Sequence, residues 1–115
     1  MFIQAYEEVL SDEQGTVRES EREIISQTIE SMQRCDAEPN DLLGRVKAIH
    51  FVREVWSYFL NDLASQENET PAELKASLIS IGIFIMKHLE QMRNDKSVKF
   101  EPLVEISKSI EKGLE

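Results

Sequence analysis

The chain has 115 residues, 41% apolar and 30% charged, with 13 basic against 22 acidic side chains and a net charge of −9. That length suits one domain around one core, and the composition is ordinary for a globular protein, excluding disordered and collagen-like classes. The acidic balance opposes direct binding to nucleic-acid phosphates or anionic membranes, so direct nucleic-acid recognition is not expected.

In chain order, Phe2, Tyr6, Val9 and Leu10 take helical spacing and predict a short helix over about 2–13, too short to hold in isolation. Gly15 and Thr16 read as a break, with Thr16 as N-cap of a helix over 17–34 that carries Val17, Ile24, Ile25, Thr28, Ile29 and Met32 on one stripe. The turn-rich stretch from Cys35 to Asp41, with Pro39 and Asn40, separates it from the next element and offers Asp41 as its cap. Leu42, Val46, Ile49, Val52, Val55, Trp56, Phe59, Leu60 and Leu63 recur at i, i+3, i+4, i+7 and predict a long core helix over 41–65. Thr70 as N-cap, Pro71 at N1 and Glu73 at N3 form a capping box that starts a helix over 71–92. A last helix over 102–112 carries Leu103, Ile106 and Ile110, with Phe100 as a staple and Gly113 as C′. The branched run from Leu78 to Met86 invites a strand reading. The capping signal upstream and the lack of a second strand to pair with exclude it. The fold expected is all-α: one domain over 1–115, a small bundle of about five helices.

Chemistry has little to stand on. His50 and His88 are the two histidines, and neither has a His or Cys at i+3 or i+4, so no zinc spacing exists. Cys35 lies beside Asp36 and Glu38, a neighbourhood that raises a thiol pKa instead of activating it. There is no glycine-rich phosphate loop and no nucleophile elbow. No enzyme, cofactor or metal is expected. The N-terminus lacks the basic and then apolar pattern of a secretory signal, and with one cysteine this predicts a cytoplasmic protein. The longest apolar-leaning run, Leu78 to Met86, is far short of a membrane span.

The 71–92 helix is the informative element. At ~100° per residue, Leu74, Leu78, Ile81, Ile85, Leu89 and Met92 form one stripe and Ile79, Ile83 and Met86 a second, together over half the circumference. Phe84 lies on the otherwise polar side. Either this helix is central to the bundle, with Gly82 admitting a close neighbour, or its surplus face is a groove for an amphipathic helix of another chain. In the second reading the partner-binding residues are Ile79, Ile83, Phe84 and Met86, with Phe2 and Tyr6 on the short first helix that moves aside.

Several motifs in fixed order resemble the FlaF flagellar biosynthesis regulators. They are Ala5-Tyr6, Trp56-x-x-Phe59, Asp62-Leu63, the run from Pro71 through Leu74, Ala76 and Leu78 to Ile81, His88, and the C-terminal pattern from Pro102 through Ile106 and Ile110 to Gly113. Val52 and Ser107 depart from the asparagines frequent at those positions in the family. The resemblance implies a cytoplasmic factor needed for flagellin synthesis and export, acting as a flagellin secretion chaperone. Its alternative is a post-transcriptional regulator of flagellin mRNA translation working through a partner regulator, FlbT.

Overall fold

The computed structural model describes residues 14–113, with side chains placed over 22–112. The described residues are helical and strand-free: α1 (Gln14–Ala37), α2 (Leu42–Ala64), α3 (Ala72–Asn94) and α4 (Glu101–Gly113). That is four helices where about five were expected; the expected helix over 2–13 lies outside the described residues.

Several boundaries differ from the sequence expectation by a few residues. α1 already includes Gly15 and Thr16, so Thr16 does not cap it. Glycine in a first turn costs little because few helical hydrogen bonds depend on it. α1 continues to Ala37 and stops before Pro39, whose ring disfavours helical geometry in the residue ahead of it. At α3, Pro71 occupies the N-cap, with φ −52° and ψ 141°, one residue beyond the Thr70 expected there. Asn68 organises the approach to this helix. Its Oδ1 accepts the Thr70 N–H at 2.9 Å, its Nδ2 donates to Asp62 at 3.0 Å, and its carbonyl accepts from Lys75 Nζ at 3.2 Å. Gly113 is the last residue of α4 and lacks the positive φ of a C′ glycine.

The α2 start is as expected. Asp41 is the N-cap, and its carboxylate accepts the Gly44 N–H at 2.9 Å. A Cβ at residue 44 would meet that carboxylate at 2.3 Å, so glycine lets the Asp41 side chain lie close over the first turn. At the other end of the chain, Phe100 is fully buried and its carbonyl accepts the Leu103 and Val104 N–H groups, the first bonds of α4. Its own N–H donates to Asp36 at 3.0 Å, so the end of α1 fixes the start of α4.

α2 packs most extensively on α3, and α1 packs on both α4 and α2, while the seam between α3 and α4 is the slightest. One core joins them. α1 contributes Ile25, Ile29 and Met32; α2 contributes Val52, Trp56, Phe59 and Leu63; α3 contributes Leu78, Ile85, Leu89 and Met92. Trp56 and Phe59 meet edge to face at 5.3 Å. The Thr28 hydroxyl, buried on the α1 stripe, donates back to the Ile25 carbonyl at 2.7 Å. The Ser26 hydroxyl donates to Glu111 and ties α1 to α4.

Leu42 and Val46, expected in the core, are 49% and 63% exposed. The cause is angular drift. An i, i+4 step turns about 40° past a full circle, so stepping from Leu42 to Val46 leads away from the face that Val52, Trp56, Phe59 and Leu63 bury.

Candidate functional site

The two apolar stripes of α3 have different fates. Leu78, Gly82, Ile85, Leu89 and Met92 are buried, whereas Ile79 and Met86 are half-buried at the edge of the core. Ile83 is 47% exposed and Phe84 46%. Ile83 stands at i+4 from Ile79 and i−3 from Met86, so these three share a flank. That flank borders α2, because Gly82 between them faces Leu60: a Cβ at residue 82 would lie 2.5 Å from Leu60 Cδ2. Leu74, on the first stripe, is exposed near the helix start.

Phe84 is about 100° further round and belongs to a different flank. Its ring lies 6.2 Å from that of His88, and His88 Nε2 bonds the Lys99 carbonyl at 2.7 Å, so Phe84 faces the connection to α4. The structure therefore brings Ile79, Ile83 and Met86 together and sets Phe84 apart. Phe2 and Tyr6 lie outside the described residues.

A neighbouring feature escaped sequence reasoning. Where α2 begins and α3 ends, a groove of about 680 Å³ has an apolar floor of Leu42, Val46, Ile49 and Met92. Arg45, Arg53, Arg93 and Lys96 stand around it, and among the described residues Glu54 is the one carboxylate in its lining. Arg45 donates to the Met92 and Asp95 carbonyls at 2.9 and 3.0 Å, placing a cation on the carbonyl end of α3, where the helix dipole favours one. Asp95 turns away to accept from the Ser97 hydroxyl and N–H. Those two bonds, with a smaller attraction from Arg45, hold its carboxyl below the ordinary range. The signal in the sequence was the spacing of basic residues on two helices of an acidic chain, legible only once the helices are paired.

His50 lies 3.6 Å from Glu54 on an exposed face. Burial, then Asp36 and Asp41, pushes the Cys35 thiol up against an opposing pull from Arg45. The expected direction holds, but desolvation outweighs the acidic neighbours. Among the described residues no group of three or more His, Cys, Asp or Glu is placed to hold a metal.

A family model described as "Flagellar protein FlaF" matches residues 2–114, essentially the whole chain. The chain belongs to the FlaF family. No curated protein and no solved structure matches it. Val52 and Ser107, its two departures from the FlaF pattern, are each 1% exposed, so they alter the core and not the flank of α3. No described helix of this FlaF chain is long and apolar enough to cross a membrane.

Proposed function

We propose that this protein is a cytoplasmic, non-enzymatic flagellar factor that holds unassembled flagellin as a secretion chaperone and thereby supports flagellin synthesis and export. The observation that carries the reading is the flank of α3 on which exposed Ile83 stands above half-buried Ile79 and Met86. Flagellin polymerises through amphipathic terminal helices, and an apolar flank along a helix seam accepts such a helix by burying its stripe. Release at export calls for a modest interface, near the small end of about 1,200 Å².

Mixing the purified protein with flagellin monomer tests this by calorimetry and size exclusion. A complex at micromolar concentration is expected, and its absence would sink the reading. Ile83→Asp weakens that complex more than it disturbs folding. Met86→Asp does the same with a larger folding cost, because Met86 is half-buried.

The separation of Phe84 from this flank favours a second reading, contact with FlbT through the surface over His88. A gel shift on the flagellin leader discriminates: a shift needing FlbT and lost in Phe84→Asp supports it, whereas salt-sensitive binding by this protein alone restores direct RNA recognition despite the charge of −9.

A further inference from the structure

We propose that the groove at the start of α2 and the end of α3 is a dock for an acidic amphipathic helix of a partner protein, selected by the basic residues around its apolar floor. This stands whether or not flagellin is the ligand of the α3 flank.

The floor joins two core residues to two apolar residues that the fold leaves exposed. Ile49 and Met92 are buried at its base while Leu42 and Val46 are about half exposed or more. Among the described residues, Arg45, Arg53, Arg93 and Lys96 surround them with Glu54 as the one carboxylate, so this described lining carries an excess of positive charge in a chain of net −9. Most of that charge is not neutralised. Arg53 and Lys96 have no ion-pair partner among the described residues, and Arg45 rests on carbonyl oxygens. Arg93 pairs with Glu90 at 3.0 Å on an exposed surface, where solvent leaves such pairs weak.

An occupant must therefore be apolar along its centre and anionic along its edges. The α2 side of the groove runs from Leu42 to Ser57, a rise of about 22 Å, which is the length of a helix of about 15 residues. A helix with apolar residues at i, i+3, i+4 and i+7 and carboxylates on both sides satisfies both requirements. A nucleic-acid strand fits less well, because it offers the floor no apolar stripe and meets the repulsion of the whole molecule. Charge matching of this kind sets selectivity and salt dependence.

The probes are two fluorescent amphipathic peptides of about 15 residues, identical in their leucines, one carrying glutamates and the other lysines at every other position. Anisotropy with the full chain is expected to show the glutamate peptide binding at least roughly tenfold more tightly, with the preference shrinking in high salt. Val46→Asp abolishes that binding, and the double variant Arg53→Glu, Lys96→Glu abolishes or inverts the preference, both with unchanged circular dichroism. Equal affinity for the two peptides overturns the proposal, as does no binding of either or indifference to these substitutions. Displacement of the peptide by a single-stranded RNA overturns it in favour of a polyanion groove. A dimer of the free chain that Val46→Asp dissolves overturns it in favour of a second copy. Flagellin binding lost in Ile83→Asp and kept in Val46→Asp, with peptide binding the reverse, separates this dock from the flagellin surface.

Discussion

Gly82 decides how closely α2 and α3 pack. A Cβ there would lie 2.5 Å from Leu60 Cδ2 and 2.9 Å from Cγ, so the branch point of the leucine, not only its tip, stands in the way. Alanine gains about 1 kcal/mol over glycine in a helix interior, but overpacking costs about 1–3 kcal/mol, and here the clash wins. Gly82→Ala is expected to lower the unfolding midpoint in a denaturant titration followed by Trp56 fluorescence. In a Leu60→Ala background the same change becomes neutral or stabilising; a stabilising effect with Leu60 present would refute the account. Cys35 offers a second residue-level check. Because burial and then Asp36 raise its thiol above the ordinary 9.0, the rate of alkylation by iodoacetamide reaches half its maximum above that pH. A midpoint well below about 8.5, the value of a free cysteine, would show an activated thiolate. Gly82 was legible in the sequence as a point of close approach, since a glycine amid large apolar residues on a helix needs a reason. Which residue approached it was not, because that depends on the register between helices.

Element boundaries depend on connections as much as on helices. Periodicity and turn chemistry located α2 and its Asp41 cap because cap and stripe agree. They placed the start of α3 within one residue but did not foresee the tertiary arrangement around Asn68 that holds the approach to it. Asn68 joins the last turn of α2, through Asp62, to the approach of α3. Asn68→Ala removes its bond to Asp62 and the acceptor of the Thr70 N–H, and is expected to cost about 1–3 kcal/mol in a site this buried. An effect near zero would mean that the loop has no part in holding α3. The connection to α4 makes a different prediction, one of pH. Asp95 accepts two bonds from Ser97 that favour its charged form, so its carboxyl titrates below the ordinary 3.8. Its contribution to stability is therefore present above that pH and lost as pH falls through the lowered value. Titration of the Asp95 carboxyl by NMR should show the lowered midpoint, and Ser97→Ala should move it up; an unmoved midpoint would assign the shift to something else.

At the scale of the molecule, one core and an acidic surface are written into composition and period. The division of α3 into a buried and a bordering face is only half written. The hydrophobic pattern showed that the apolar arc was too wide for a surface helix. It left open which stripe the bundle covers, since the answer follows from where α2 and α4 lie. The positions of Leu42 and Val46 were misread for the same reason: a spacing rule counts residues, while burial depends on the direction in which a neighbour stands. The division predicts a sharp contrast between Ile83 and Ile85, two residues apart on one helix. Ile85 is fully buried, and Ile85→Asp places an unpaired carboxylate in the core, a change of the kind that costs more than about 4 kcal/mol. Since domains of this size have about 5–15 kcal/mol of stability in total, that variant should lose its cooperative melt. Ile83→Asp alters a side chain already half in water and should move the midpoint little, by about 0.5 kcal/mol or less. Melts of the two variants by circular dichroism read this directly. If Ile83→Asp unfolds the protein as readily as Ile85→Asp does, the second stripe is core, and α3 has no free apolar face with which to hold flagellin.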